Sequence, residues 1–273
     1  MDLLQQTKEL CRLYDIKPAR SKGQNFLIEE EIYDQITAAA GLTSNDTVLE
    51  VGPGLGFLTA KLAKKAGRVI AVELDDKLAE VLRIGLAAKG IKNVEVVNGD
   101  ILKSSLPSFA KEGYKIVANL PYNITSFFLR KFLSETEIKP ELMVLMLQEE
   151  VAERITAKPG KMSLLAVSAQ FYAKPEIIKL VSRECFWPAP EVDSAIIKLE
   201  AKSEKPEVKE KEFFRLVKFG FSAKRKMLKN NLAAGLMINQ AEAEDKITKA
   251  GFNPKIRAQE LAVGDWLKLF AIF

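Results

Sequence analysis

The sequence predicts an α/β protein, with a doubly wound sheet over residues 1–200 and a small all-α domain over residues 201–273. Three observations predict it. Short Val/Ile/Leu-rich runs alternate with helical segments through about residue 200, turn residues punctuate them, and beyond a charged stretch only helical spacing remains. The candidate strands are Thr47–Val51, Arg68–Leu74, Val94–Asn98, Lys115–Asn119, Leu142–Leu147, Glu176–Val181 and Ser194–Leu199. Several are near-continuous apolar runs, as strands buried on both faces of a parallel sheet require. Helices are predicted between them at Phe57–Ala66, Lys77–Lys89 and Ile124–Leu133, with Gly67 and Gly90 placed as C-caps. The stretch AKSEKPEVKEKE is charged, apolar-poor and holds Pro206, so it reads as a linker. After it, Phe213, Leu216 and Val217, then Leu228, Leu232 and Leu236, recur at helical spacing.

Composition narrows the chemistry. At 273 residues, 48% hydrophobic and 28% charged, the chain reads as an ordinary globular protein with room for two domains. No apolar run approaches the roughly 18 residues that span a bilayer. The N-terminus, MDLLQQTKELCRLYDIKPAR, has early acids and no continuous apolar core, so it reads as a short amphipathic helix rather than a secretory signal. A cytoplasmic, monomeric protein is expected. Cys11 and Cys185 fit no metal or redox spacing and are expected to be buried free thiols. The chain has no histidine, which removes every serine- or cysteine-histidine pair and every imidazole metal site. No metal is expected. Chemistry must run on carboxylates, amides, tyrosines, backbone groups or an organic cofactor.

The charge is unevenly placed. Residues 200–273 hold 15 Lys/Arg against 10 Asp/Glu, which accounts for the whole net charge of +5; the rest of the chain balances. Within that quarter, Lys211–Leu232 carries seven basic residues and one acid. Such a run fits either a solvated helix face or a phosphate-binding surface.

Candidate ligand residues fall at successive strand ends, where open α/β sheets bind their ligands. The first strand runs into Gly52-Pro53-Gly54-Leu55-Gly56, where glycines let the backbone turn and approach a ligand. The spacing is G-x-G-x-G rather than the dinucleotide fingerprint G-x-G-x-x-G, which leans against a nicotinamide oxidoreductase. Glu73 ends the second strand, where a carboxylate can accept from a ribose diol. Asp100, in Asn98-Gly99-Asp100, follows the third and can accept from an adenine amino group. Together these describe a mononucleoside site.

The fourth strand ends in Asn119-Leu120-Pro121-Tyr122, and Asn123-Ile124-Thr125 opens the next helix. An adenine amine is a poor nucleophile because its lone pair is delocalised into the ring. The Asn119 side-chain oxygen and the Leu120 carbonyl can accept from its two N–H groups and draw it towards tetrahedral geometry. Pro121 fixes the turn, and Tyr122 offers a ring on which an extruded base can stack.

With those residues in view, the chain resembles the small-subunit (16S) ribosomal RNA adenine dimethyltransferases, the KsgA/RsmA family, over nearly its whole length. The resemblance is carried by Lys22-Gly23-Gln24-Asn25-Phe26-Leu27, by the segment Val48–Thr59, and by Glu73, Gly99-Asp100 and the Asn119–Thr125 block. It continues in Leu147–Ile155, in Phe186–Ser194, and in Lys224-Arg225-Lys226 with Asn230-Asn231-Leu232. It implies a Rossmann-like, seven-stranded methyltransferase sheet and S-adenosyl-L-methionine as methyl donor. Asn25, Leu27, Gly52, Gly54, Glu73, Asp100 and Asn119 would contact that cofactor; Asn119, Leu120 and Tyr122 would frame the target base. Phe186 would be a second aromatic over the base, with Pro188 and Pro190 stiffening its loop; core packing is the alternative for Phe186 and the preferred reading for Trp187. Lys224, Arg225, Lys226 and Lys229 would bind RNA. The implied reaction is N6,N6-dimethylation of two adjacent adenosines in the loop of the 3′-terminal hairpin of 16S rRNA, in the small subunit or its assembly intermediate.

Two departures stand out. A tyrosine-glycine pair usual in the family is replaced around Lys161-Met162-Ser163, and Lys224 stands where arginine is common. Lysine neutralises phosphate but cannot fork bidentately. The alternative within the fold is a large-subunit rRNA adenine N6-methyltransferase of the macrolide-resistance type. A DNA adenine methyltransferase would more typically carry an acid or serine before a Pro-Pro-Tyr sequence. Outside enzymology, the chain could act as a binding module that checks ribosome assembly.

Overall fold

All seven candidate strand runs pair into one sheet in the computed structural model of the chain, which describes residues 2–19, 23–103, 113–204 and 206–273. Lys22 of the N-terminal signature and Lys205 of the predicted linker lie outside the described residues. The chain divides into two units, Met1–Ala152 with Lys174–Ala201, and Glu153–Ala173 with Lys202–Phe273.

In the first unit, α1 (Leu3–Leu13) starts at an Asp2 cap and leads to the two-residue strand β1 (Phe26–Leu27) and to α2 (Glu30–Ala39). Then β2 (Thr47–Val51), α3 (Phe57–Ala63), β3 (Arg68–Glu73), α4 (Asp76–Ala88) and β4 (Val94–Asn98) alternate. They are followed by β5 (Lys115–Asn119), α5 (Thr125–Arg130) and β6 (Leu142–Gln148). The helix α6 (Glu149–Ile155) ends the run at the division between the units, and α7 (Leu164–Tyr172) lies within the second. The chain returns to the sheet with β7 (Ala173–Val181), the short β8 (Phe186–Trp187) and β9 (Ser194–Ala201).

The strand order is β4-β3-β2-β5-β6-β9-β7. The first five strands are parallel, and their order reverses between β2 and β5. That reversal opens a crevice at the carboxyl ends of β2 and β5. β9 departs from the expected parallel pattern and runs antiparallel to β6 from Leu142↔Glu200 to Gln148↔Ser194. The segment that leads into β9 from its other neighbour β7, residues 182–193, contains no crossover helix, which a parallel β7–β9 pair would need. Burial on both sheet faces explains the apolar runs. Val48 and Val69 pack with α2 and α3 through Ile36, Leu58 and Leu62, while Leu49 and Ile70, pointing the other way, are also fully buried.

The predicted helices shift at their ends. α3 stops at Ala63, and the single predicted helix 124–133 is a 3₁₀ turn over Tyr122–Ile124, then α5, then a π-type turn over Lys131–Glu135. Gly90 adopts the left-handed conformation expected after α4, but Gly67 does not. A Cβ on Gly67 would collide with the Ser44 carbonyl oxygen, so this glycine serves close backbone approach rather than a cap. Both cysteines are free; Cys11 is buried, whereas Cys185 is only partly covered.

The second unit holds α7, α8 (Glu210–Gly220), α9 (Leu228–Leu236), α10 (Gln240–Lys249) and α11 (Val263–Phe270). A single cut after residue 200 therefore misplaces residues 153–173. Phe171 of α7 is fully buried with its ring 5.0 Å from that of Phe213, which in turn lies 5.7 Å from Phe270. The Gln259 carbonyl accepts from the Gly160 and Met162 N–H groups. An apolar helix that precedes a sheet strand in sequence has here found its core among the tail helices.

Candidate active site

A cavity of about 220 Å³ opens at the carboxyl ends of β2, β3 and β5. Its wall brings together Asn25, Leu27, Gly52, Gly54, Glu73, Asp100 and Asn119, which lie as far as 94 residues apart in sequence.

The glycine turn after β2 is tied to the next strand. Gly54 adopts φ +56°, and its N–H donates to Glu73 Oε2 at 3.0 Å. The other Glu73 oxygen accepts from the Asp75 N–H at 3.0 Å. Burial pushes the Glu73 carboxyl upward, and the two backbone donors oppose that rise. Each oxygen still has a lone pair beyond its backbone bond, so the pair can also receive a vicinal diol. The Glu73 carbonyl accepts from Asn98 Nδ2 and the Gly99 N–H, which fixes the turn that carries Asp100. Asp100 Oδ1 accepts from the Leu102 N–H at 2.9 Å and Lys103 Nζ lies 3.7 Å from Oδ2.

The N-terminal segment is held over the cavity by the segment that follows β7. β1 pairs with β8 in the register Phe26↔Trp187 and Leu27↔Phe186. The Leu27 carbonyl accepts from Tyr33 Oη at 2.9 Å, and Gln24 Nε2 reaches Asp75 Oδ2 at 3.5 Å. Two motif blocks far apart in sequence thus form one clamp.

Asn119 ends β5 opposite Met146 and lines the cavity, and among the described residues its side-chain amide has no hydrogen-bond partner. The Leu120 N–H donates to Met146 and its side chain is buried away from the cavity. Tyr122 stands outside the cavity wall in the 3₁₀ turn, half-buried, its hydroxyl 2.7 Å from Ser194 Oγ. Phe186 differs from the sequence expectation. It is 3% exposed, packed in the core that includes Leu27 and Tyr33, and presents no face to the cavity. Its pairing opposite Leu27 on a two-stranded ribbon turns the ring inward.

Glu50 was not singled out from sequence. It is 1% exposed, lines the cavity, and neither carboxylate oxygen has a hydrogen-bond partner among the described residues. Burial pushes its carboxyl up to about 8; the Thr59 hydroxyl, too loosely placed for a geometric hydrogen bond, offsets part of this, and the Glu73 charge adds to it. The available signal was one acid inside an otherwise apolar buried strand.

In the second unit, Lys224, Arg225 and Lys226 are exposed on the turn between α8 and α9, with no ion pair among the described residues. Asn231 is buried and its amide donates to the Gly220 and Ala223 carbonyls at 2.6 and 3.0 Å, which holds that turn. Lys229 stands apart from the cluster: it is half-buried and paired with Glu244 of α10, so its charge is already met. Ser163, at the departure from the family pattern, caps α7 by accepting from the Ala166 N–H.

Fold and site define a Rossmann-like enzyme of the methyltransferase type, with a nucleoside-sized cavity at the switch point of the sheet. The ribosomal RNA adenine dimethylase family matches residues 17–273, and the chain belongs to that family. It is similar to ribosomal RNA small subunit methyltransferase A of Dehalococcoides mccartyi (strain CBDB1), with 46% identity over 98% of this chain and 92% of the relative. The same-named protein of Clostridium botulinum (strain Loch Maree / Type A3) is 38% identical over 96% of each chain. Among solved structures, a dimethyladenosine transferase from Plasmodium falciparum superposes with a TM-score of 0.78 at 29% identity, covering 89% of this chain and 95% of that one. The 23S rRNA methyltransferase ErmE superposes with 0.74 at 30% identity, covering 91% and 99%. Among the described residues no helix is long and apolar enough to cross a membrane.

Proposed function

We propose that this chain transfers methyl groups from S-adenosyl-L-methionine to the exocyclic amines of two adjacent adenosines in the loop of the 3′-terminal hairpin of 16S rRNA. The step belongs to small-subunit biogenesis in the cytoplasm, with the chain acting as a monomer. One observation carries the reading: a single cavity gathers the glycine turn, two strand-end carboxylates and the Asn119 amide at the switch point. The small-subunit assignment is supported by relatives of that name at up to 46% identity.

The cavity suits the cofactor on its own chemistry. Glu73 keeps acceptor capacity for a ribose diol, Asp100 for an adenine amine, and Glu50 adds a buried carboxyl with no hydrogen-bond partner among the described residues. When bound, the cofactor supplies an electrophilic methyl group on a sulfonium centre. The Asn119 side-chain oxygen and the Leu120 carbonyl accept from the adenine N–H groups and aim the nitrogen lone pair. Tyr122 carries the extruded base on its ring face. Phe186 acts at one remove, holding the Leu27 segment over the cavity through the ribbon. No covalent enzyme intermediate is needed; positioning and hydrogen-bond polarisation supply the rate. The Lys224, Arg225 and Lys226 turn receives RNA phosphates, while Lys229 braces α9 against α10.

The test offers labelled cofactor with unmethylated small subunits, large-subunit rRNA or duplex DNA. Label confined to the small subunit supports the proposal. Label on large-subunit RNA moves the chain to the resistance-type reaction, to which the likeness to ErmE also points. With label on none, the cavity's assignment falls.

A further inference from the structure

The Tyr122 ring is anchored by one hydrogen bond, and its partner belongs to a part of the chain with no assigned role. Tyr122 Oη lies 2.7 Å from Ser194 Oγ, across 72 residues of sequence. Ser194 is fully buried. It opens β9, a strand whose following residues Ala195, Ile196 and Ile197 are all fully buried and apolar. A hydroxyl at such a place needs a partner, and Tyr122 provides it.

The backbone around Ser194 is fixed on both sides. Across the sheet it pairs with Gln148, the last residue of β6. Immediately before it, the Asp193 carbonyl accepts from the Glu149 N–H at 3.0 Å and the Asp193 carboxylate accepts from the Arg183 N–H at 2.8 Å. Tyr122, by contrast, sits on a single 3₁₀ turn between β5 and α5. A rigid strand end therefore holds the far tip of a ring carried by a short turn. Burial also pushes the Tyr122 phenol upward, and either hydroxyl of the pair can donate to the other.

We propose that Ser194 is a positioning residue for the reaction: it fixes the tilt of the Tyr122 platform and thereby places the target amine before Asn119. The inference rests on the proposed reading, in which Tyr122 carries the base. It also gives a reason for the Leu147–Ile155 and Phe186–Ser194 blocks to occur together, since the β6–β9 register joins them at the anchor.

The experiment measures kcat, the apparent KM for RNA and cofactor affinity by calorimetry for Ser194→Ala, Ser194→Thr, Tyr122→Phe and the Ser194→Ala/Tyr122→Phe pair. Loss of the anchor is expected to lower kcat about tenfold, since small misplacements of a reacting group cost rate steeply. Cofactor affinity stays within about twofold, because neither side chain lines the cavity. Tyr122→Phe, which keeps the ring, gives the same loss, and the double variant loses no more than either single one. Ser194→Thr restores kcat to within about threefold, as the hydroxyl remains. Full kcat in Ser194→Ala, additive losses in the pair, or a loss explained by cofactor affinity would each overturn the inference and leave the function intact. If the wild-type chain methylates no adenine substrate, the functional reading falls and the platform with it.

Discussion

The cavity of the first unit and the basic turn of the second are held in opposite ways. In the cavity, Glu73, Asp100 and Asn119 stand at strand ends whose positions are set by sheet register: Glu73 receives two backbone N–H groups, and beside it Glu50 is sealed without a partner among the described residues. Lys224, Arg225 and Lys226 instead project from one turn, exposed and without an ion pair among the described residues, over a backbone held by the Asn231 amide and by the Lys226 N–H on the Ala223 carbonyl. Pre-organised geometry should govern rate, and exposed charge should govern encounter.

Substitutions can break that division. Asn119→Ala should lower kcat by roughly a hundredfold or more, as losing a polarising contact to the reacting group does. Calorimetry should find cofactor affinity reduced only a few-fold. Full turnover would remove Asn119 from the chemistry. Next in size, changing Lys224, Arg225 and Lys226 together to Ala should raise the apparent KM for RNA about tenfold and reduce the salt slope of binding by about two to three. An unchanged slope would return the cluster to a solvated surface, whereas a fall in kcat alone would erase the contrast between the two regions.

Two smaller effects sharpen the contrast from within the first unit. Gly67→Ala drives a Cβ into the Ser44 carbonyl oxygen and should destabilise the protein by about 1–3 kcal/mol in a urea melt. For Glu50, the folded state holds a proton up to about pH 8 that the unfolded chain releases near its ordinary value of 4.5. Stability from this group is therefore fully present below about 4.5, declines as pH rises, and is lost above about 8. Glu50→Gln should match the wild type least favourably at pH 5 and gain on it by a few degrees in Tm by pH 8.5. A Tm difference that does not move with pH would mean that Glu50 is solvated.

The parts of this account that were legible in sequence share a cause. Strands buried on both faces must be apolar runs, and residues at the ends of such runs reach one crevice, so the gathering of Gly54, Glu73, Asp100 and Asn119 at one cavity follows from the strand pattern. What escaped depends on partners distant in sequence. The apolar pattern of α7 says that the helix is buried, not that it lies against Phe213. An aromatic beside two prolines reads as exposed, and only the pairing of Phe186 opposite Leu27 shows it turned into the core. Lys229 follows the basic cluster at helical spacing, and its neutralisation by Glu244 needs the α9–α10 packing. Glu50 was hidden by its strand: a lone acid among Val and Leu looks like an edge residue until its burial is known.

The most direct measurement digests small-subunit RNA after reaction with the wild-type chain and maps the methylated nucleosides by mass spectrometry. N6,N6-dimethyladenosine is expected at two adjacent positions of the 3′-terminal hairpin loop, and at most a trace of it with Asn119→Ala. Methylation at any other position, or an unchanged pattern in that variant, would contradict it.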